Sequence, residues 1–437
     1  MQELKQTARK IFTKTLASID IPATLARKLD RGGTRIRRGD ARVNIAEFEG
    51  IVAIAFGKAS HAMVKGLQEV LAPDLSASGI LVVPAAPPDE VPGFDTYIAG
   101  HPVPTAASLA AADAILQTLA GCDERTLVFF LISGGASALV EKPLFADVSL
   151  EDVQALNRAL VTCGAPIGEI NAVRKHVSAV KGGRMAAAAP RAMKITLGVS
   201  DVPEGRESAL GSGPTLPDPT TVEDALRVVR SYGLLEKLPA SLRAKLEHPG
   251  ALPETPKAGD PAFARSHFQL LLGMRDLFHQ AHHWAEAAEC VTFCDNSTDD
   301  WPLERAADFL LDQLAQLKAA NPTRPVAVIA DGEVSSPVTG NGIGGRNAAF
   351  VLDCVEKIAG KPIAVLSAGT DGVDGNSPAA GAAADGETLG RARAAGLDPR
   401  DYFRRSDAYN FFKLLGDTIE TGPTGNNLRD LRILLAQ

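Results

Sequence analysis

Residues 127–139 have the sequence LVFFLISGGASAL, an apolar run followed at once by small residues and the start of a helical pattern. Six consecutive apolar residues are typical of a strand buried on both faces of a parallel sheet. The glycines permit a tight turn, and a helix that begins there offers unpaired N–H groups and the positive end of its dipole. The candidate phosphate cradle consists of Ser133, Gly134, Gly135, Ala136 and Ser137. A turn that needs glycine only for its backbone conformation explains these residues equally well.

The same alternation continues on both sides of this segment. Apolar runs at 51–56, 80–83 and 195–199 are separated by stretches such as 58–71 and 105–119, in which apolar residues recur at helical spacing. Thr105 and Ser149 are suited to begin helices, since each can accept hydrogen bonds from the first turn. The pattern predicts an α/β fold with a mostly parallel sheet.

The length of 437 residues predicts two domains. Residues 249–263 are rich in proline and glycine and suit neither a strand nor a long helix, so we place a linker there. The predicted domains are residues 1–248 and 264–437. Further apolar runs at 268–272, 291–293, 326–330, 363–366 and 431–435 make the second, smaller domain α/β as well.

Composition argues against several classes of protein. The net charge is -7, whereas binding to nucleic acid or to an anionic membrane demands a basic face. The apolar runs are too short to span a bilayer, and residues 1–15 predict an amphipathic helix rather than a signal peptide. The five cysteines show no CxxC spacing, so we interpret them as structural thiols in a reducing cytosol. The predicted location is cytoplasmic.

Two cations occupy positions that suggest ligand binding. Lys58 directly follows the 51–56 strand, at the edge where open α/β sheets bind ligands, although a lone lysine is more often solvated. Arg346 ends a glycine-rich loop, residues 340–345, beyond the 326–330 strand. Glycine is costly to order, so we expect this loop, with Gly344 and Gly345, to lie against an anionic ligand rather than to be explained by packing.

Residues 171–184 contain five potential cations and no acid. A solvated helix face normally intersperses acids among its bases, so this segment favours anion binding. The candidates are Arg174, Lys175, Lys181 and Arg184, with His176 as the weakest member because a helix histidine is often only structural.

Two aspartates at strand ends are candidate Mg²⁺ ligands. Asp201 follows the 195–199 strand and Asp371 follows the 363–366 strand. Mg²⁺ takes few protein carboxylates and completes its shell with water and substrate phosphates. Asp374 lies between glycines, where a turn is a serious alternative.

Taken together, these segments resemble the D-glycerate 2-kinase family, the type II glycerate kinases whose C-terminal part is called MOFRL. The matching segments run in family order over nearly the whole chain: Gly57-Lys58-Ala59-Ser60, Gly100-His101-Pro102-Val103-Pro104, residues 131–139, residues 171–184, Ser200-Asp201-Val202, Ser212-Gly213-Pro214-Thr215, Gly344-Gly345-Arg346-Asn347 and Gly369-Thr370-Asp371-Gly372.

The resemblance implies a Rossmann-like N-terminal domain, a smaller MOFRL domain, and an active site in the cleft between them. It implies transfer of the ATP γ-phosphate to the 2-hydroxyl of D-glycerate with Mg²⁺, and Lys58 and Arg346 as catalytic residues. We assign residues 133–137 with Lys181 to the nucleotide phosphates. Arg174, Lys175 and Arg184 are assigned to substrate or another anion. Asp201 and Asp371 are assigned to Mg²⁺ or to activation of the substrate hydroxyl.

Several alternatives stay open at this point. After Ser200-Asp201-Val202 the chain has Pro203-Glu204-Gly205 where the family commonly has a Gly-Asp pair, so another small hydroxy acid is an alternative substrate. Residues 340–345 match GxGxxG, which admits an NAD(P)H-dependent hydroxypyruvate reductase, but the glycines come well after the strand. A sugar-phosphate-binding regulator without catalysis is a third class. The oligomeric state is not determined, and a homo-oligomer is left open.

Overall fold

The computed structural model describes residues 2–29, 35–38, 41–200, 202, 205–426 and 428–437. The α-helices within these residues, in chain order, are α1 (Gln2–Ser18), α2 (Ile21–Leu29), α3 (Ser60–Leu71), α4 (Ala106–Ala120), α5 (Ala136–Leu139), α6 (Leu150–Thr162), α7 (Ile167–Val177), α8 (Arg184–Ala188), α9 (Val222–Ser231), α10 (Ala240–Glu247), α11 (Met274–Glu286), α12 (Leu303–Ala320), α13 (Arg346–Lys357), α14 (Thr388–Ala394), α15 (Pro399–Arg404) and α16 (Ala408–Leu415).

The strands, in chain order, are β1 (Arg35–Arg38), β2 (Ala41–Asn44), β3 (Gly50–Phe56), β4 (Ser78–Val83), β5 (Phe94–Ile98), β6 (Thr126–Ser133), β7 (Met193–Val199), β8 (Ser266–Leu272), β9 (Val291–Asp295), β10 (Val326–Asp331), β11 (Ile363–Gly369), β12 (Gly381–Asp385), β13 (Thr418–Ile419) and β14 (Asp430–Ala436). The apolar runs identified in the sequence all fall within these strands. Helix α4 begins directly after Thr105, and a capping box of Ser149 and Asp152 begins α6, as predicted.

The chain forms two compact units. The larger unit is Ile21–Leu272, and the smaller unit is Met1–Asp20 together with Gly273–Gln437. None of the helices in the described part of the chain is both long and apolar enough to cross a bilayer.

The larger unit is built on a six-stranded sheet with the order β5-β4-β3-β6-β7-β8, and every neighbouring pair is parallel. Its central strands are buried on both faces, which explains their continuous apolar sequence. One core cluster joins this sheet to α4, and a second is formed among α6, α7, α9 and α10. The predicted parallel sheet is confirmed.

The strand order of this sheet reverses between β3 and β6. From β3 the chain proceeds outward to β4 and β5, whereas from β6 it proceeds in the other direction to β7 and β8. The carboxyl ends of β3 and β6 are therefore neighbours, with Phe56 paired to Ile132. In open α/β sheets a crevice forms at such a point of reversal, and ligands bind there. The loop carrying Lys58 and the turn at residues 133–137 both leave the sheet at this place.

The smaller unit has a mixed sheet with the order β13-β12-β11-β14-β10-β9. Only β9 and β10 are parallel, because the last strand of the chain, β14, lies between β10 and β11 and is antiparallel to both. Helices α12 and α13 cover one face over the main core cluster. This unit is α/β, as predicted.

The boundaries of the two compact units differ from the predicted domain boundaries. Strand β8 pairs with β7 and so extends the larger sheet, although its sequence was assigned to the second domain. The preceding segment packs in the larger unit too, where Asp218 N donates to Pro256 O at 3.0 Å. Helix α1 belongs to the smaller unit because it buries Leu4, Ile11 and Phe12 there, and because Lys5 forms ion pairs in that unit.

Candidate functional site

The loop after β3 is held against the turn after β6 by backbone contacts. Lys58 N donates to Gly134 O at 2.9 Å, and Ala59 N donates to the Ser133 hydroxyl at 2.9 Å. Gly57 has φ +129°, and a Cβ there would lie 2.2 Å from Ser133 Oγ. The two loops are therefore in such close contact that only glycine fits at position 57. This packing fixes the backbone from which the Lys58 side chain projects.

Gly135 lies at the middle of this arrangement, with φ +85°. A Cβ on Gly135 would lie 3.2 Å from His101 Nε2 and 3.5 Å from Lys58 Cγ, so both side chains border the turn. Partial desolvation, and then the charge of Lys58, lower the pKa of His101. The helix that follows, α5, is only four residues long, so its dipole is much weaker than the sequence suggested.

A hydrogen-bonded chain extends from the same turn into the larger unit. Ser137 Oγ lies 3.0 Å from Ser212 Oγ, which donates to Asn171 Oδ1 at 3.1 Å. Ser212 has φ 63° between two glycines that also have positive φ, and its carbonyl accepts from Gly182 N at 3.1 Å. A non-glycine residue in this conformation is strained, and such strain is frequent at functional sites. Ser212 was part of the matching sequence but had not been given a role.

The lysines of the 171–184 segment are engaged in buried ion pairs. Lys175 Nζ lies 3.0 Å from Asp218 Oδ1, and Lys181 pairs with Glu141, whose other oxygen accepts from Ser178 at 2.6 Å. Desolvation lowers the pKa of Lys181, while Glu141 opposes that effect. The segment itself has no acid, but the fold supplies two from elsewhere in the chain. These contacts give no support to a phosphate-binding role for either lysine.

The other basic residues of the segment also have protein partners. Arg174 Nε donates to Asn157 Oδ1 at 2.8 Å, and Arg184 Nη2 donates to Pro253 O at 3.4 Å. Burial lowers the pKa of both arginines. His176 is fully buried, and its Nδ1 lies 2.7 Å from Ala172 O, which is the structural role that the sequence allowed. Their anion-binding role stays a prediction.

In the smaller unit, Arg346 is the first residue of α13 and is held by two carboxylates. Its Nε lies 2.5 Å from Asp430 Oδ2, and its Nη2 lies 2.7 Å from Glu333 Oε1. Desolvation alone would lower the pKa of Arg346, but the charges of Asp430 and then Glu333 outweigh it and raise the pKa. The guanidinium is therefore fully charged at every pH at which the protein is folded.

The N–H groups at the start of α13 are already satisfied by a protein carboxylate. Asn347 N and Ala348 N donate to the two oxygens of Asp374 at 3.0 and 2.8 Å. Asp374 is buried, and desolvation raises its pKa to about 6 against the effect of these hydrogen bonds. Asp374 is thus a helix cap supplied from a distant loop rather than only a turn residue.

The glycine-rich loop before Arg346 packs against other loops of the protein. Ligand contact at Gly344 and Gly345 stays a prediction. A Cβ on Gly340 would lie 2.3 Å from Arg405 O, one on Gly342 would lie 2.5 Å from Asp407 Cβ, and one on Gly345 would lie 2.3 Å from Asp374 Oδ1. The close approach that excludes a side chain is therefore made by other loops of the same unit. Gly344 has φ +158°, a value that residues with a side chain rarely adopt, so a substitution there would be strained.

The smaller unit also contains buried charged residues that were not identified from the sequence. Asp331, at the end of β10, is 0% exposed, and neither of its carboxylate oxygens has a hydrogen-bond partner among the described residues. Burial raises the pKa of Asp331 to about 6, although Arg429 and Arg432 oppose it. Arg432 is fully buried and donates to Asp331 O at 3.1 Å, and Arg429 pairs with Asp299. The signal for Arg432 was its place inside the otherwise apolar 431–435 run.

Of the two predicted metal ligands, only Asp371 can be described. A Cβ on Gly369 would lie 3.1 Å from Asp371 Oδ1 and 3.4 Å from Asp430 Oδ1, which places these two carboxylates near each other. Asp201 lies outside the described residues. Within the described ranges, no group of three or more His, Cys, Asp or Glu side chains is arranged to hold a metal ion.

Comparison with known proteins places this arrangement in a family. Residues 7–247 match the model of a Domain of unknown function (DUF4147), and residues 326–430 match the MOFRL family. A D-glycerate 2-kinase of Thermotoga maritima is 36% identical over 88% of this chain and 90% of its own length. The chain belongs to the D-glycerate 2-kinase family. The expected family is thereby confirmed.

Two further proteins are similar to this chain over nearly its whole length. The crystal structure of a glycerate kinase from Thermotoga maritima superposes with a TM-score of 0.85, at 33% identity, over 100% of both chains. A protein of Agrobacterium vitis that bears the provisional name hydroxypyruvate reductase is 35% identical over 99% of this chain and 94% of its own. The two names describe different reactions within one family.

Proposed function

We propose that this protein is an ATP-dependent glycerate 2-kinase, which transfers the γ-phosphoryl group of ATP to the 2-hydroxyl of D-glycerate and releases 2-phosphoglycerate and ADP. The observation that carries the proposal is the likeness to the D-glycerate 2-kinase of Thermotoga maritima, which extends over most of both chains. Phosphoryl transfer requires mainly alignment and charge stabilisation, and charged groups at fixed positions provide these.

Lys58 is the proposed cation of the larger unit. It projects from a backbone fixed by Gly57 and Ser133 at the point where the strand order of the parallel sheet reverses. An ammonium group there would balance negative charge on the nucleotide phosphates or on the transferring group. The 133–137 turn would contribute backbone N–H groups and the hydroxyl of Ser137. Because α5 is so short, we assign phosphate binding to these local donors rather than to a helix dipole.

Arg346 is the proposed cation of the smaller unit. Two carboxylates hold its Nε and Nη2, and neither of these ion pairs uses Nη1. A guanidinium presented in this way can donate to phosphate oxygens or to the glycerate carboxylate through a planar pair of N–H groups.

Mg²⁺ would bind together with ATP and would neutralise negative charge on the phosphate oxygens. Mg²⁺ usually keeps several waters and needs only one or two protein carboxylates. The carboxylates of Asp371 and Asp430 near Gly369 match such a sparse donor set. Asp371, which lies just after β11, would be the ligand. Asp201 remains a second proposed ligand.

The GxGxxG match at residues 340–345 does not favour a nicotinamide-dependent reductase reaction. In dinucleotide-binding folds these glycines leave a strand directly and approach the pyrophosphate. Here the loop lies well beyond β10, and Gly340, Gly342 and Gly345 are in close contact with protein atoms instead. The close contacts at these glycines are therefore made by protein atoms, and they do not require a pyrophosphate to explain them.

The proposal is tested with purified protein, ATP, MgCl₂ and D-glycerate, following ADP and locating the phosphate by NMR. We expect ADP and 2-phosphoglycerate in equal amounts. A parallel reaction contains hydroxypyruvate with NADH or NADPH. Consumption of the reduced nicotinamide together with no ADP formation would overturn the kinase proposal, and ADP formation with a longer hydroxy acid only would correct its substrate.

A further inference from the structure

Arg346 is bound by two carboxylates that differ sharply in their surroundings. The Asp430 side chain is 5% exposed, whereas the Glu333 side chain is 45% exposed. Asp430 is the first residue of β14, which is hydrogen-bonded on both sides within the sheet. Asp430 itself pairs with Gly369 of β11. One carboxylate is therefore fixed by the sheet, while the other is a surface group that solvent can compete for.

We propose that Asp430 is the positioning residue of the reaction: its buried carboxylate fixes the orientation of Arg346, so that the donors not bonded to acids point toward the anionic substrate group. This inference rests on the proposed function. Asp430 does not touch substrate in this scheme and acts only through Arg346.

The donors of the guanidinium support this division of roles. Arginine has five N–H groups in a rigid plane, so fixing two of them fixes the direction of the rest. Nε and Nη2 lie on one edge of the plane, and these are the atoms held by Asp430 and Glu333. The position of Nη1 is then determined by the sheet through Asp430, without any contact of its own to a carboxylate.

A second buried arginine lies near the ion pair that Asp430 forms with Arg346. Arg432 is completely buried in the same region, and its charge interacts with those of Asp430 and Arg346. The guanidinium groups of Arg346 and Arg432 therefore both interact with the negative charge of Asp430. A short contact between a buried carboxylate and an arginine Nε is among the stronger hydrogen bonds in proteins, and it restricts rotation of the side chain.

We expect Asp430→Asn to lower kcat only when Arg346 is present. Asp430→Asn keeps the shape of the side chain but removes its charge, and we expect kcat to fall about 10²-fold, the usual consequence of a misplaced catalytic group. Glu333→Gln is the matched comparison, because it removes the exposed carboxylate from the same guanidinium. We expect a several-fold smaller effect from Glu333→Gln than from Asp430→Asn.

The decisive measurement is a double-mutant cycle on kcat with Arg346→Ala. If Asp430 acts through Arg346, Asp430→Asn has no further effect in the Arg346→Ala background. An equal loss of kcat in both backgrounds overturns the inference, since Asp430 would then act elsewhere. Circular dichroism of each variant identifies a loss of fold. Absence of ADP formation in the unmodified protein is a different result, because it overturns the proposed function itself.

A second variant keeps the test independent of folding at position 430. Arg346→Lys retains the charge next to Asp430 but replaces the planar fork by a single ammonium group. Fixed orientation predicts that Arg346→Lys loses nearly as much kcat as Arg346→Ala. A kcat of Arg346→Lys within about tenfold of that of the unmodified protein shows that charge alone suffices and overturns the inference.

Discussion

Lys181 in the larger unit and Arg346 in the smaller unit are both cations bound by carboxylates, yet their surroundings are opposite. Lys181 is 1% exposed, and its partner Glu141 is also buried. The Arg346 side chain is 36% exposed, and one of its two partners faces solvent. A cation whose partners are all buried has its charge fully committed to the fold. A cation with one exposed partner and an unused donor retains the capacity to bind an anion.

The largest effect expected from this difference is on activity. Arg346→Ala should lower kcat by about 10³-fold or more, because arginines that stabilise phosphoryl transfer contribute on this scale. The unfolding midpoint should fall as well, because Arg346→Ala leaves the buried carboxylate of Asp430 without this ion-pair partner. Steady-state ADP formation and thermal denaturation measure the two quantities. Turnover that survives Arg346→Ala within tenfold would remove Arg346 from the proposed site.

Lys181→Met should instead affect stability. Removing one partner of a buried ion pair leaves Glu141 uncompensated, and the free energy of unfolding should fall by about 3–5 kcal/mol. Chemical denaturation followed by circular dichroism measures this loss.

The control for Lys181→Met is the double variant Lys181→Met with Glu141→Gln, which should recover much of the lost stability because no unpaired charge remains. A stable Lys181→Met variant with an increased KM for ATP would contradict this assignment. It would return Lys181 to the phosphate-binding role that the sequence suggested.

A pH-dependent effect is expected from Asp331, whose pKa burial raises to about 6. The folded protein binds this proton more tightly than the unfolded chain, so this group lowers stability as the pH rises from about 4 to about 6. Asp331→Asn should therefore raise the free energy of unfolding at pH 8 by about 3 kcal/mol, and by much less near pH 4. Denaturation curves at the two pH values measure the difference.

Asp374 provides the contrast for that experiment, because its pKa is also raised to about 6. Both oxygens of Asp374 accept backbone hydrogen bonds from α13, and an asparagine can replace only one of them. Asp374→Asn should therefore raise the free energy of unfolding at pH 8 by less than Asp331→Asn does, because the lost capping hydrogen bond costs about 1 kcal/mol. An equal gain from Asp331→Asn and Asp374→Asn at pH 8 would mean that hydrogen bonding is not what separates the two carboxylates.

The smallest effect is expected for an ion pair in which both side chains are exposed. Lys65 lies 2.7 Å from Asp89 on the surface of the larger unit, and both side chains are about half exposed. Exposed pairs of this kind contribute little, because water already solvates both charges. Lys65→Ala should leave both the unfolding midpoint and kcat unchanged within error. A clear loss of stability would mean that exposure does not separate structural from dispensable ion pairs in this protein.

Most of the fold was predictable because its signals are local. The apolar runs gave the positions of β3, β6, β7, β10 and β14, since a strand buried on both faces needs continuous apolar sequence. The turns at Gly57 and Gly135 were visible as glycines next to such runs. The antiparallel position of β14 was not predictable, because strand pairing is a contact between distant residues and leaves no mark in either strand's own sequence.

The candidate site was predictable only in part, for the same reason. The sequence by itself predicted a role for two cations, Lys58 after a strand and Arg346 after a glycine-rich loop. The order of its matching segments determined the family. Only the tertiary structure decided which cations are neutralised, because the partners lie far away in the chain: Glu141 is 40 residues from Lys181, and Asp430 is 84 residues from Arg346. Ion pairs and close glycine contacts depend on distances in the folded protein, whereas strands and turns depend on neighbouring residues.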